Sequence, residues 1–254
     1  MKNKRLVILL SVFAFLVLIA VLCSTVFTVR KVSVEWSTTK VLFDHTDAEI
    51  VGDVKKGESV FLVDKASIKQ TLEEKYPYLK VVSLEIKFPN QLVVHASERQ
   101  ELFSIKVKDN SHYILDGECK VLRSATDATL NGTTPVTVKN FTFPDGTFEV
   151  SKVAEMGFVN NVLTNFASAL SINKNGSDYV KNNVQYLDID VTGYNENLEI
   201  KMRGVTVKVN KITSKLLEKL ELAIATFDQL SAPEKESGVM TVYEVAGKVF
   251  AEYA

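Results

Sequence analysis

The segment between Gly52 and Ser59 has the spacing of a phosphate-binding loop. It reads Gly-Asp-Val-Lys-Lys-Gly-Glu-Ser, and its two glycines and its serine stand as in Gly-x4-Gly-Lys-Ser. Such a loop cradles phosphates with backbone N–H groups and neutralises them with the lysine. Here Glu58 occupies the lysine position, and its negative charge repels a phosphate. The segment therefore predicts an ordinary loop that does not bind a nucleotide.

A second segment, Ser171-Ile-Asn-Lys174, has the Ser-x-x-Lys spacing of penicillin-recognising enzymes. In those enzymes the serine is a nucleophile that begins a helix, and a Lys-Thr-Gly motif accompanies it. Ser171 instead follows a predicted helix, and the chain contains no Lys-Thr-Gly. We therefore expect no acyl-transfer chemistry at this serine.

The remaining residue types give no constellation for catalysis. His45, His95 and His112 lack the His-x3-His or Glu-x2-His spacing of a zinc site. Thirty basic residues are balanced by thirty-one acidic ones and form no basic run, which excludes the composition of a nucleic-acid-binding protein. We expect a protein that is not an enzyme, with no metal, no cofactor, no small-molecule substrate and no nucleic-acid partner.

The N-terminal part of the chain predicts a membrane anchor. No charged residue occurs from Leu6 through Leu16 to Val29, and a helix of that length crosses a hydrocarbon core about 30 Å thick. Met1 to Arg5 carry the larger flanking positive charge, which favours a cytoplasmic N-terminus and an extracytoplasmic remainder. A cleaved signal peptide has a shorter apolar region and a small-residue cleavage site. A lipoprotein anchor at Cys23 is disfavoured by the bulky Leu22.

The residues after the anchor predict one strand followed by two short helices. Val32–Trp36 has the composition of a strand, and Thr46 with Glu49 forms a capping box that begins a helix. Asp64 caps a second helix. The apolar face of that second helix consists of Ile68, Leu72 and Tyr76.

A β-hairpin follows, and it has the clearest pattern in the chain. Apolar and polar residues alternate on either side of Pro89-Asn90, which is typical of two half-buried strands. Because proline does not fit a type I′ turn, we expect a loop of about three to five residues. The predicted core positions of the hairpin are Val82, Leu84, Ile86, Leu92 and Val94.

This hairpin resembles the end of the POTRA domain in the FtsQ/DivIB family of bacterial division proteins. The resemblance lies in Pro77, Leu79, Leu84, Pro89-Asn90, Leu92, Val94 and Glu98-Arg99. It departs from the family where Gln100-Glu101 replaces the proline that follows Glu-Arg. The resemblance implies an α+β fold in which a transmembrane helix precedes a POTRA-like domain, a three-stranded sheet with two helices. A β-rich domain with two helices packed on an antiparallel sheet would follow.

Residues beyond Arg99 fit such a β-rich domain. Two helical faces are predicted, one from Val159 to Leu170 and one from Leu216 to Leu230, and residues 135–151 are the expected long loop. Six strands are predicted at 102–107, 112–115, 120–123, 184–191, 198–202 and 205–209, and a last one at 238–245. The predicted domains are thus a cytoplasmic tail 1–5, a transmembrane helix 6–29, a POTRA-like domain 30–99, a β-rich domain 100–246 and a C-terminal tail 247–254.

The resemblance also implies partners. In the family the β-rich domain binds other bitopic division proteins, FtsB/DivIC-like and FtsL-like, largely through its last strand. The matching residues here are Val239, Met240, Thr241, Val242, Tyr243 and Glu244. An unpaired last strand leaves N–H and C=O groups that a partner strand can extend. The implied function is a non-enzymatic scaffold at the division septum, and the alternative is a membrane-anchored enzyme that acts on the cell wall.

Overall fold

The computed structural model describes residues 2–108, 110–127, 130, 132–139, 157–173, 176–190 and 196–254. These residues divide into two compact units, Met1–Arg99 and Gln100–Ala254. Lys174 of the Ser-x-x-Lys segment and residues 140–151 of the predicted long loop lie outside the described part.

Unit 1 begins with helix α1, Lys2–Thr25. Its described side chains from Val7 to Val21 are all exposed, on every side of the helix. In the described part of the chain, no helix meets both the length and the apolarity that a bilayer crossing requires. Val29, expected as the last anchor residue, is buried in the core of unit 1 instead, because its backbone pairs with Gly57 and Glu58.

The rest of unit 1 is a three-stranded sheet with two helices. Strand β1 is Lys31–Trp36, helices α2 and α3 are Asp47–Asp53 and Lys65–Lys75, and strands β2 and β3 are Leu79–Lys87 and Gln91–Glu98. The strand order is β1-β3-β2, with β1 parallel and β2 antiparallel to β3. The predicted strand-helix-helix-strand-strand order is present, and the hairpin loop has three residues, within the expected three to five.

The helix starts in unit 1 follow their predicted caps. The Thr46 side chain accepts a hydrogen bond from the Glu49 N–H, and the Glu49 carboxylate accepts one from the Thr46 N–H. The Asp64 carboxylate accepts a hydrogen bond from the Ser67 N–H at 3.0 Å. Both caps satisfy N–H groups that the first turn of a helix leaves without a partner.

One predicted core position in the hairpin is wrong. Val82 is 55% exposed, whereas Val81 is fully buried. The pairing of β2 with β3 shifts register between Val81 and Ser83, as a β-bulge does. A bulge adds one residue to one strand. The alternation of buried and exposed side chains that holds from Leu84 onward therefore does not continue to the residues before the bulge. Leu84, Leu92 and Val94 are buried as predicted.

Unit 2 contains a nine-stranded sheet and three helices. The strand order is β12-β11-β10-β9-β8-β7-β4-β5-β6. The strands are β4 Phe103–Lys108, β5 Ser111–Leu115, β6 Val121–Ala125, β7 Thr134–Lys139, β8 Val184–Asp190, β9 Asn197–Met202, β10 Val205–Asn210, β11 Gly238–Val245 and β12 Lys248–Tyr253. The helices are α4 Gly157–Asn173, α5 Gly176–Asn183 and α6 Leu216–Gln229.

The sheet is mixed, so the expected antiparallel sheet is wrong. Strands β4 and β7, β7 and β8, and β10 and β11 pair in parallel. Two of these pairs are joined by helices, α4 and α5 between β7 and β8, and α6 between β10 and β11. Parallel neighbours need such a crossover, because a short hairpin returns the chain antiparallel.

Helices α4 and α6 pack together, and their apolar sides share one core with one face of the sheet. The alternation along the strands shows which face is covered. Leu198, Ile200 and Met202 of β9 are buried, whereas Glu199 and Lys201 are partly exposed. Three elements of this unit were not predicted, namely α5, β7 and β12. Strand β12 occupies the place expected for a C-terminal tail, residues 247–254.

Candidate partner-binding edge

The strand expected to bind a partner, β11, lies inside the sheet. It pairs in parallel with β10 on one side and antiparallel with β12 on the other. The backbone N–H and C=O groups of β11 therefore bond to a neighbouring strand on each side. The premise that β11 is an exposed edge is wrong. Whether its side chains contact a partner stays a prediction.

The six expected residues divide between two faces. Met240 and Val242 are fully buried in the core, where they face the helices. Val239, Thr241 and Tyr243 lie on the opposite face, and Val239 is 39% exposed. The Glu244 carboxylate accepts a hydrogen bond from the Ser214 hydroxyl at 2.7 Å. Two of the six side chains therefore stabilise the fold and are covered.

Strand β12 takes the edge position. The Val239 N–H donates to the Ala254 carbonyl and the Ala254 N–H donates to the Val239 carbonyl, both at 2.9 Å. In an antiparallel ladder, residue pairs that exchange both hydrogen bonds alternate with pairs whose N–H and C=O groups point away from the partner strand. Given the register, Val249, Ala251 and Tyr253 direct their N–H and C=O groups to the outer side of β12. Among the described residues, no strand pairs with that side.

The outer edge carries an apolar surface beside it. The rings of Tyr243 and Phe250 are stacked across the two strands, with centroids 5.9 Å apart. Phe250 is 44% exposed and Val245 is 55% exposed, on the same face as Val239. An incoming strand at β12 would thus meet free backbone groups together with an uncovered apolar face.

A two-residue turn positions this hairpin. Ala246 and Gly247, between β11 and β12, both have positive φ, at 50° and 76°. Such a turn matches the right-handed twist of the two strands. The sequence signal was weak, because alanine rarely adopts this conformation and Asn-Gly or Asp-Gly is the usual indicator. The Lys215 ammonium donates a hydrogen bond to the Gly247 carbonyl and holds the turn beside α6.

The far end of the hairpin depends on a glycine. Gly238 has φ of 130°, and a Cβ atom there would lie 2.6 Å from the Tyr253 ring. The Tyr253 hydroxyl lies 2.8 Å from the Glu234 carbonyl and 2.6 Å from the Ser237 carbonyl, to which it can donate. This contact fastens β12 to the short 3-10 turn Glu234–Glu236 that precedes β11.

A buried lysine supports the inner side of β11. The Lys219 ammonium, on α6, donates to the Asn210 carbonyl at 3.1 Å and to the Lys211 carbonyl at 2.8 Å. It also lies 3.8 Å from the Glu244 carboxylate. Burial lowers the pKa of Lys219, and the hydrogen bond from the Ser214 hydroxyl lowers the pKa of Glu244. These contacts tie α6 to β11, which makes Glu244 a structural residue.

The segments that resembled catalytic motifs have structural partners. The Gly57 N–H donates to the Val29 carbonyl and the Glu58 carbonyl accepts from the Val29 N–H, so this loop pairs with the chain after α1. The Ser171 hydroxyl donates to the Ser168 carbonyl within α4. Among the described residues, no group of three side chains that could hold a metal ion occurs.

A shallow polar groove lies on the sheet beside β8. Lys139, Asp188, Glu199 and Lys208 are among the residues that line it. The Lys139 ammonium lies 2.7 Å from the Asp188 carboxylate, and the Tyr186 hydroxyl donates to Glu199 at 3.0 Å. Opposite charges on neighbouring strands are typical of a solvated sheet face. These residues form cross-strand pairs rather than a nucleophile with its base.

The sequence motif of the hairpin has a structural role as well. The Glu98 carboxylate is buried and accepts hydrogen bonds from the N–H groups of Val41, Leu42 and Phe43. The Arg99 guanidinium donates to the Leu79 carbonyl and lies 3.2 Å from Glu73. Glu98 and Arg99 therefore hold the surrounding loops and α3 to the sheet.

Unit 1 has the architecture of a POTRA domain. Its residues 27–99 match the family model described as "POTRA domain, FtsQ-type". The match starts at Phe27, which agrees with the burial of Val29 in the same core.

The chain is also similar to two curated proteins named Cell division protein DivIB. One, from Clostridium tetani, is 24% identical over 182 residues, which cover 66% of this chain and 63% of that protein. The other, from Clostridium botulinum, is 22% identical over an alignment of 255 positions, which covers 98% of this chain and 92% of that protein. The chain thus spans less than two thirds of the first relative's length. The recognition of the FtsQ/DivIB family from the hairpin is confirmed.

Proposed function

We propose that this protein is a non-enzymatic, bitopic scaffold of the bacterial division machinery, active at the septum. The FtsQ-type POTRA match and the two relatives named DivIB support a role in cell division. Its work is to bind other bitopic division proteins of the FtsB/DivIC-like and FtsL-like kind while the septum forms.

The proposed anchor is α1, with the N-terminus in the cytoplasm and the two folded units outside the cell membrane. Two features support it. No charged residue occurs between Leu6 and Val29, and the described apolar side chains of α1 are exposed all round the helix. A helix that is apolar on every side is stable where other apolar groups surround it, and a bilayer provides them. Leu16, at mid-helix, is 57% exposed.

The proposed binding element is the outer edge of β12 together with the apolar face beside it. The observation that carries this proposal is the set of outward backbone groups at Val249, Ala251 and Tyr253. Strand addition uses such groups for affinity, and the neighbouring side chains select the partner. The face beside the edge supplies Tyr243 and Phe250.

Proline at Ala251 tests the edge directly. Its N–H points outward, so Ala251→Pro removes one donor from the edge and leaves the β11–β12 ladder intact. Ala251→Ser is the matched control, because it keeps the N–H at the same place. We expect Ala251→Pro to lose co-purification with the FtsB/DivIC-like and FtsL-like proteins, while Ala251→Ser retains it. Circular dichroism should show the same fold for both.

The result that rules out strand addition is a folded Ala251→Pro variant that captures its partners at normal yield. Proline substitutions inside β11 would not test strand addition at β12. The N–H of Thr241 serves the ladder with β12 and that of Val242 the ladder with β10, so either proline breaks the sheet.

In cells, depletion of the protein should give filaments without septa.

A further inference from the structure

Three segments of unit 1 meet where α1 ends. The Val60 N–H donates to the Phe27 carbonyl at 2.9 Å, and Thr28 forms a β-bridge with Ser59. The Arg30 N–H donates to the Asn90 carbonyl at the tip of the β2–β3 hairpin. The loop around residue 60 and the hairpin tip therefore flank the chain as it leaves the helix.

Each of these segments presents an apolar side chain at this end of the unit. The Phe61 and Phe88 rings have centroids 5.8 Å apart, and both contact Phe27 at 5.5 and 6.4 Å. Phe61 is 59% exposed, Phe88 is 64% exposed and the neighbouring Leu62 is 74% exposed. We call these four residues, Phe27, Phe61, Leu62 and Phe88, the aromatic patch.

The surroundings of the patch carry mainly positive charge. Arg30, Lys31, Lys55 and Lys56 are exposed on the same segments, with Glu58 as the acidic residue between Val54 and Leu62. The Arg30 guanidinium also donates to the Thr25 carbonyl, the last residue of α1, at 2.6 Å. That contact fixes the end of the helix against the patch.

We propose that the aromatic patch inserts into the outer surface of the lipid bilayer, so that the POTRA-like domain lies on the membrane as well as being tethered to it. The inference rests on the proposed function, because it requires α1 to be the anchor. The patch begins at Phe27, two residues after the last residue of α1, so a bilayer around α1 would end close to it.

Lipid fits this surface better than a protein partner does. Large exposed apolar patches mark binding sites for membranes or proteins. A patch that begins where a membrane helix ends is at the depth of the lipid headgroups. Phe and Leu side chains enter that boundary in interfacial helices, and basic residues beside them attract anionic lipids. Peripheral apolar faces reach about 5–10 Å into this boundary.

Tryptophan fluorescence with brominated lipids tests the insertion. The full chain is reconstituted in vesicles of phosphatidylcholine and phosphatidylglycerol, with or without bromine on the upper acyl chain. Phe61→Trp and Phe88→Trp place a probe in the patch, and the unaltered chain gives the baseline emission of its single tryptophan, Trp36. We expect bromine to reduce the added emission of both variants and bilayers to shift it to shorter wavelengths.

Val82→Trp is the matched control. Val82 is 55% exposed on the same strand as the hairpin tip, and six residues of strand place it roughly 20 Å from Phe88. Its emission should be insensitive to bromine. Equal quenching of Val82→Trp and Phe88→Trp would overturn the proposal, as would the absence of quenching in both.

Leu16→Trp, measured in vesicles whose lipids carry bromine near the ends of the acyl chains, separates the two possible failures, because Leu16 lies at mid-helix. If Leu16→Trp is quenched and the patch probes are not, the anchor holds and the patch does not enter lipid, so a protein partner becomes the candidate for it. If Leu16→Trp is not quenched, the anchor itself fails, and the insertion fails with it.

Discussion

Two of the hairpins, β2–β3 and β11–β12, differ in which of their groups face inward and which face outward. In β2–β3 the most recognisable residues, Glu98 and Arg99, turn inward and bind loops and α3. In β11–β12 the backbone groups of β12 and the rings of Tyr243 and Phe250 face outward. The first hairpin makes the family recognisable, and the second contains the edge that we propose as the partner-binding element. A strong sequence motif here marks what holds the fold, whereas the candidate function lies where the sequence pattern is weak.

The largest expected effect separates the faces of β11. Met240→Ala removes a fully buried side chain and should lower the free energy of unfolding by about 2–5 kcal/mol. Val239→Ala, its neighbour on the open face, should change it by about 0.5 kcal/mol or less. Urea unfolding of the full chain in detergent, followed by circular dichroism, measures both. Equal losses would contradict the difference in burial between the two faces, and a larger loss for Val239→Ala would mean that the faces are reversed.

The next effect concerns the inward residues of β2–β3. Glu98→Gln replaces an acceptor of three backbone N–H groups by an amide that offers one oxygen and an opposing NH2 group. We expect a loss of about 1–3 kcal/mol in the free energy of unfolding of unit 1. Glu85→Gln is the control, because Glu85 makes an exposed contact with His95 at 3.0 Å. A similar loss in both would contradict the assignment of the effect to the three backbone hydrogen bonds that Glu98 accepts.

A smaller effect is expected from the outward rings. A double-mutant cycle with Tyr243→Ala and Phe250→Ala should give a coupling energy of about 0.5–1.5 kcal/mol for the stacked pair. The same variants should weaken partner capture more than they weaken the fold. If partner capture is unchanged in these variants, the two rings do not select the partner, and only the backbone edge of β12 remains as the proposed binding element.

The smallest effect is the response of both units to acid. In unit 1 the hydrogen bond from Lys75 lowers the pKa of Asp53, and in unit 2 that from Ser214 lowers the pKa of Glu244. A carboxyl whose folded pKa is lowered stabilises the fold above its unfolded pKa, about 4, and that contribution is lost as the pH falls through the folded pKa. Asp53→Asn and Glu244→Gln should therefore each reduce the stability lost between pH 5 and pH 3. Unfolding titrations at the two pH values test this, and an unchanged or larger loss would contradict it.

Much of unit 1 was predictable because its signals are local. The capping box at Thr46, the Asp64 cap and the buried positions Leu92 and Val94 depend on residues a few positions apart. The position of Val82 was not predictable, because a bulge inserts a residue without any change in composition.

Unit 2 was less predictable because its arrangement depends on residues far apart in the chain. The parallel pairing of β10 with β11 is set by the crossover through α6, which composition does not reveal. Strand β12 was missed because Ala246-Gly247 is a weak turn signal and Lys248–Tyr253 is short. Missing β12 made β11 look like an edge, so the candidate site was placed one strand inward.

The position of β12 along the chain has a consequence for assembly. Because β12 follows every other strand, the ribosome makes it last, and until then β11 is the border of the sheet. A nascent or truncated chain that lacks β12 would have β11 as the edge strand, with the N–H and C=O groups that otherwise bond to β12 left unpaired. The proposed docking edge therefore exists only in molecules whose synthesis has passed Tyr253.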